Sequence, residues 1–266
     1  MAGRLEGKSA VVTGSASGIG RAIARRYGKE GARLLLADVN SDGGEETAAM
    51  IRRDGGQALF LRCDVGDPEQ VRQAIERAVA EYGKLDVVVN VAGIGGGGKA
   101  ENCSVESWQR VLDVNLSGPF YAAKYAIPHL RQAGGGSIIN ISSVYGIIAA
   151  PNVPSYSASK GGLIMLTKQM AVDYAHEGIR VNCICPGYVD TDMGGRRARM
   201  APEDAARALA NRESKAAMQP IGRQAQPDEM AGAAVFLASD DATFAAGSIL
   251  VVDGGESILH NIGPYF

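Results

Sequence analysis

Two periodicities alternate along this chain of 266 residues. Short runs rich in Val, Ile and Leu are apolar at nearly every position. Between them lie longer stretches in which apolar residues recur every three or four positions. The first pattern reads as strands buried on both faces, the second as amphipathic helices. Strands are expected at Ser9–Thr13, Arg33–Asp38, Ala58–Arg62, Leu85–Asn90, Ser137–Ile141, Ile179–Cys185 and Ile249–Val252. Helices are expected from a glycine-rich turn to Lys29, then at Asp42–Asp54, Pro68–Tyr82, Ser104–Arg131, Tyr156–Ala175 and Asp228–Ala238. Pro68 falls in a first helical turn, where a missing amide is tolerated. No internal repeat or structureless linker divides the chain. The expected fold class is α/β: one domain, 1–266, with a doubly wound parallel sheet of about seven strands and helices on both faces.

Composition removes several function classes. A net charge of -2 gives no reason to expect nucleic acid or an anionic membrane as partner. No run of about 18 apolar residues is present, which argues against a membrane span. Met1 to Lys8 carries no apolar stretch after its charges, so no signal peptide is read and a cytoplasmic protein is expected. Cys63, Cys103, Cys183 and Cys185 lack zinc or redox spacing and read as reduced, mostly buried thiols. His129, His176 and His260 are scattered, and no metal site is expected.

Chemistry enters with Thr13-Gly14-Ser15-Ala16-Ser17-Gly18-Ile19-Gly20, between the first strand and the first helix. Glycines there permit an unusual turn and close backbone approach to a diphosphate, which then faces the positive end of the helix. This strand, turn and helix open a Rossmann-type dinucleotide unit, with Gly14, Ser17, Gly18, Ile19 and Gly20 as candidate cofactor contacts. Asp38 ends the second strand, roughly 20 residues past the turn, as that fingerprint requires. Its carboxylate suits both adenosine ribose hydroxyls of NAD. A 2′-phosphate at ~5 Å would be repelled by roughly 2 to 7 kcal/mol. No Lys or Arg directly follows Asp38, and Ser17 stands where a basic residue would meet that phosphate, so NAD (NADH) is expected over NADP.

Tyr156 and Lys160 are four residues apart in an apolar segment of helical spacing, hence on one helix face. Moving a tyrosine from ~10 to ~7 needs roughly 4 kcal/mol of charge stabilisation. One cation at ~4 Å in an effective dielectric of ~20 supplies about that much. Alone, such a pair reads as a plain surface contact.

With these residues in hand, the chain resembles the short-chain dehydrogenase/reductase family from Lys8 to Gly255. Besides the glycine-rich turn and Tyr-x-x-x-Lys, the likeness rests on Asp64-Val65, Asn90-Val91-Ala92-Gly93, Asn115, Ser143, and Pro186-Gly187 leading to Thr191. Val91 departs from the family, which often has a second Asn there. The resemblance implies that Asp64 meets the adenine amino group and the Val65 backbone its ring. It places Asn90, Ala92 and Gly93 along the cofactor cleft, and gives Thr191 the nicotinamide carboxamide with the Val189 backbone nearby. Helix capping by Asp64 and a plain turn at Pro186-Gly187 stay open as competing readings. The implied catalytic set is Tyr156 as general acid/base, Lys160 lowering its pKa and holding the ribose, Ser143 on the substrate oxygen, and Asn115 holding a water that links Lys160 to solvent. Ser142 is the rival of Ser143, in a structural role.

The implied reaction is reversible hydride transfer between NAD and a small-molecule secondary alcohol or ketone. An NADPH-dependent 3-oxoacyl carrier-protein reductase and a non-catalytic NAD-sensing regulator are the alternatives; Asp38 weighs against the first, and the complete Asn115, Ser143, Tyr156 and Lys160 set against the second. Gly95, Tyr145, Asn152 and Tyr188, with Ser143, form the candidate substrate wall. A substrate lid is expected around 190–220, its Arg196, Arg197 and Arg199 nearly balanced by Glu203, Asp204 and Glu213. The resemblance implies a homotetramer, a dimer staying open. The tail from Ile258 to Phe266 either packs on a neighbour or frays.

Overall fold

The apolar runs form β1 (Ser9–Thr13), β2 (Arg33–Asp38), β3 (Gln57–Arg62), β4 (Val87–Asn90), β5 (Gly136–Ile141), β6 (Ile179–Pro186) and β7 (Ile249–Val252). The helices are α1 (Gly18–Lys29), α2 (Ser41–Arg53), α3 (Pro68–Tyr82), α4 (Val105–Leu112), α5 (Gly118–Gln132), α6 (Pro154–Tyr174), α7 (Pro202–Ala216) and α8 (Pro227–Ala238). The structure is a computed structural model that describes residues 3–193, 200–217 and 219–259. Arg196, Arg197, Arg199, His260 and the tail beyond Leu259 lie outside the described residues.

All seven strands pair in parallel, in the order β3-β2-β1-β4-β5-β6-β7. Along the inner strands, alternate residues feed opposite cores. Ala10, Val12, Leu34, Leu36 and Ile139 join Ile23, Tyr27 and Val235 of α1 and α8 on one face. Val11, Leu35, Val88 and Ile138 join Ile75, Ala126 and Met170 of α3, α5 and α6 on the other. Burial on both faces is why these strands read as continuous apolar runs rather than as an alternation. Because β1 pairs with both β2 and β4, the chain reverses its winding there and leaves a crevice at the carboxyl ends of these strands. Among the described residues no helix is long and apolar enough to cross a membrane.

One element differs from the sequence expectation in a way that matters. The helical region expected at Ser104–Arg131 is interrupted by a π-helical segment, Asp113–Ser117, between α4 and α5. Within the 190–220 segment lies α7, a regular helix opened by Pro202 with Glu203 and Asp204 in its first turn. Smaller shifts occur at ends; β4 starts at Val87, where Asp86 instead uses its carboxylate to accept from Ser9 N at 2.8 Å.

Tyr27 anchors α1 to α8. It is fully buried, and its hydroxyl donates to the Ala234 carbonyl at 2.8 Å. Burial drives its phenol far above the usual tyrosine range. Tyr27→Phe removes one buried hydrogen bond and is expected to cost about 1 kcal/mol. A chain of this size should then melt about 2–4 °C lower by calorimetry. An unchanged melting point would mean the bond contributes nothing.

Candidate functional site

The crevice is built by backbone contact. Gly14 has φ of +67°, and a Cβ there would come within 2.7 Å of Ala92 N, so only glycine lets the turn after β1 touch the loop after β4. Thr13 ties the same two segments: its Oγ1 accepts from Val91 N at 3.1 Å and Ala92 N at 3.2 Å. α1 starts at Gly18 with Ser17 as N-cap; the serine makes no capping bond and the first turn holds no acidic residue. Its amides and positive dipole end are therefore open to an anion. Ile19 packs on the core beneath, and Gly20 is buried. The Thr191 methyl lies 3.0 Å from where a Gly18 Cβ would be, so the segment after β6 closes over the turn. A cavity of about 340 Å³ opens there between Gly18, Arg21, Thr191 and Pro227. Glycines a Cβ would clash with, uncapped amides and a strand-end carboxylate form a donor and acceptor set that fits a dinucleotide.

Asp38 uses both oxygens on the backbone, accepting from Ala16 N at 3.0 Å and Asn40 N at 2.9 Å. Each oxygen keeps acceptor capacity for a hydroxyl. Asp64 accepts from Gly66 N at 2.9 Å and from Arg110 at 2.8 Å. It does not cap α3: Asp67 does, accepting from Glu69 N and Gln70 N. Val65 is buried beside it. Asn90 ends β4 and donates to Asn140 at 2.8 Å, which donates onward to Thr167 at 2.9 Å, a buried polar chain joining β4, β5 and α6. Pro186 ends β6, and Gly187 N donates to Val252 O at 3.1 Å, which holds the exit of β6 against β7.

The end of β5 meets α6 through a reciprocal latch. Lys160 Nζ donates to Ile141 O at 2.8 Å, and Ser142 Oγ donates to Lys160 O at 2.8 Å. Gly146 lets the next turn lie on the Lys160 backbone, since a Cβ there would meet Lys160 C at 2.7 Å. Ser142 thus has a structural bond, while Ser143 accepts from Tyr145 N at 3.1 Å and hydrogen-bonds the Tyr156 hydroxyl. Asn115, fully buried in the π-helical segment, grips Ile94 in both directions: Oδ1 accepts from its N and Nδ2 donates to its O, each at 2.9 Å. Nδ2 also donates to Ser159 at 3.1 Å. Gly93 lies next to both Asn115 and Lys160.

Burial pushes the Tyr156 phenol up, and the groups pulling it down are the Ser143 hydrogen bond and the charge of Arg212. Lys160, expected to supply that charge, sits with Nζ 5.7 Å from the centre of the Tyr156 ring and is committed to Ile141 O. Burial lowers its own pKa to about 8.

Two members of the expected substrate wall meet: the Tyr145 and Tyr188 hydroxyls are 2.7 Å apart, their rings edge-on. Gly95 faces Met193, whose Cε lies 3.4 Å from the position of a Cβ. Asn152 lies in an exposed turn, in the left-handed region at φ of 62°. Thr13, Arg110, Met193 and Arg212 belong to the site and were not singled out from sequence. All four cysteines are free, three of them buried. Among the described residues no group of His, Cys, Asp and Glu could hold a metal ion.

A buried ammonium makes stability depend on pH. Below about 8 both folded and unfolded Lys160 are protonated, and the fold bears the full cost of burial. Between about 8 and 10.5 the folded amine loses its proton first, so the cost fades as pH rises. The full cost is at most roughly 3 kcal/mol, less about 1 kcal/mol for the bond to Ile141. Lys160→Met is therefore expected to raise the neutral-pH melting temperature by about 4–8 °C, with the gain disappearing in alkali. A variant that melts lower at neutral pH would refute this account.

Comparison with known proteins agrees with this geometry. A family model described as enoyl-(acyl carrier protein) reductase matches residues 14–257. Cis-4-hydroxycyclohexanecarboxylate dehydrogenase of Sinomonas cyclohexanicum is 44% identical over 92% of this chain and 95% of its own. D-threitol dehydrogenase of Mycolicibacterium smegmatis is 40% identical over 96% of this chain and 95% of its own. Among solved structures, levodione reductase superposes with a TM-score of 0.90 at 32% identity, covering 96% of this chain and all of its own. These likenesses span nearly the whole chain, and their named members are dehydrogenases and reductases. The chain belongs to the short-chain dehydrogenase/reductase family, and so is an oxidoreductase that works with a nicotinamide cofactor.

Proposed function

We propose that this protein is an NAD-linked dehydrogenase of secondary alcohols, with ring or polyol alcohols as substrates. The observation that carries the reading is the meeting of Ser143, Tyr156 and Lys160 at the carboxyl end of β5, beside the glycine cradle. Asp38, followed by Val39 and Asn40 rather than a base, supports NAD over NADP. The names of relatives, cyclohexanol dehydrogenase of Acinetobacter among them, support the substrate class. Residues 1–266 would act as one domain with a lid around 190–220. Exposed Phe120, Met165 and Val172 on α5 and α6 support a homotetramer, and a cytoplasmic enzyme is part of the same reading.

In this reading Tyr156 Oη takes the hydroxyl proton during alcohol oxidation and returns it during ketone reduction. The bound nicotinamide supplies the acceptor for the carbinol hydrogen and its electron pair. Ser143 donates to the substrate oxygen and stabilises its developing negative charge. Lys160 holds the ribose, and Asn115 positions the Ile94 backbone at the cleft. Tyr145, Tyr188 and Met193 give the alcohol an apolar wall with two hydroxyls. The carrier-protein chemistry in the family description supports a second reading, NADPH-dependent reduction of a 3-oxoacyl thioester, which Asp38 opposes.

Because burial raises the Tyr156 phenol, oxidation should accelerate as pH rises, while reduction should persist into alkali. Tyr156→Phe should lower kcat at least about 10³-fold in both directions while NADH binding, followed by fluorescence, is kept. With cyclohexanol or threitol, kcat/KM should favour NAD over NADP by about tenfold or more. A preference for NADPH with a 3-oxoacyl thioester would replace the main reading by the second.

A further inference from the structure

We infer that Arg212 is a positioning residue that pins α7 onto the segment carrying Val189 and Thr191 and directs positive charge at the Tyr156 end of the cleft. The inference rests on the reading of Tyr156 as the acid/base. Arg212 Nη1 donates to Thr191 O and Nη2 to Val189 O, each at 2.6 Å. One guanidinium thus spans two carbonyls of one extended segment, a fork that an ammonium cannot reproduce. That segment is otherwise held by its bridge to Ala225, through Asp190 N donating to Ala225 O and Ala225 N to Tyr188 O, each at 2.8 Å.

The place of this segment gives the fork its meaning. Upstream, Tyr188 meets Tyr145 in the substrate wall. Downstream, the Thr191 methyl lies against Gly18 in the cofactor cradle. An α7 seated on these carbonyls therefore fixes both ends of the cleft at once. The groups that bear on the Tyr156 phenol are Ser143 from the end of β5, Arg212 from α7 and Cys185 from β6, with Lys160 of its own helix 5.7 Å from the ring centre. Arg212 and the Ser143 hydrogen bond favour the phenolate, and the Cys185 thiol opposes it. Asp190 and Asp192 flank Thr191 in the same segment and moderate the field of the arginine. The seating of α7 would in this way be coupled to proton transfer, because the residue that docks the helix also favours the base.

Three variants separate the possibilities: Arg212→Gln, Arg212→Lys and Tyr156→Phe, each compared with the wild type by circular dichroism melting. In Arg212→Gln the pH at which alcohol oxidation reaches half its plateau should rise by about half a unit to one unit. Oxidation near neutral pH should then fall about three- to tenfold, while ketone reduction keeps its low-pH plateau and extends further into alkali. Arg212→Lys should restore the wild-type pH limb but not the fork. NADH dissociation constants, from fluorescence titration without substrate, should rise about threefold or more in both variants. An unshifted limb in Arg212→Gln, equal loss in both directions at every pH, or unchanged NADH binding in both variants would overturn the inference. If Arg212→Gln does not fold, Arg212→Lys decides: weaker NADH binding with an unmoved limb supports it, and unchanged binding overturns it. Turnover by Tyr156→Phe would instead defeat the acid/base reading, whatever Arg212 does.

Discussion

The catalytic end of this molecule depends on the reciprocal latch between β5 and α6. Lys160 reaches the last carbonyl of β5 with its ammonium, and Ser142, just past that strand, reaches back to the Lys160 carbonyl. The two bonds fix the direction in which α6 leaves the sheet, and with it the place of Tyr156. Gly146 permits the close approach that both bonds need. Around this latch the other pieces are arranged by backbone contact rather than by side-chain filling. Thr13 holds the β1 turn to the β4 loop, and Asn115 holds the loop to the π-helical segment.

The same arrangement sets two demands against each other. A lysine that is nine-tenths or more buried, with one carbonyl as acceptor, weakens the fold at neutral pH. The tyrosine beside it is driven toward its neutral form by the burial that shapes the cleft. Function in this region is therefore carried by strained electrostatics, and stability is supplied elsewhere by the two apolar cores that sandwich the sheet.

Most of the fold was legible because strands buried on both faces leave continuous apolar runs that neighbouring helices do not. The glycine-rich turn and the Tyr156–Lys160 spacing were equally legible, since each depends on residues close in sequence. The π-helical segment was not: a single extra residue in a helical turn leaves no mark on a period of 3.6, even with a poor helix former, Asn115, inside it. Arg110 and Arg212 were invisible for a different reason. Their partners, Asp64 and the Val189 and Thr191 carbonyls, lie 46, 23 and 21 residues away in sequence. An arginine in a charged helix reads as solvated until a structure shows what it grips. The bond from Lys160 to Ile141 was equally illegible, because helical spacing fixes which face a side chain occupies, not which atom its tip chooses.

Asp38 carries a consequence for any attempt to redesign cofactor choice. Its carboxylate is also a clip, with one oxygen on Ala16 N inside the glycine-rich turn and the other on Asn40 N at the entry to α2. Replacing it by a small neutral residue to admit a phosphate would leave two amides without their acceptor and loosen the loop meant to cradle the diphosphate. Specificity and loop geometry are thus welded into one side chain. A successful swap has to rebuild the clip from a neighbour at the same time as it removes the charge.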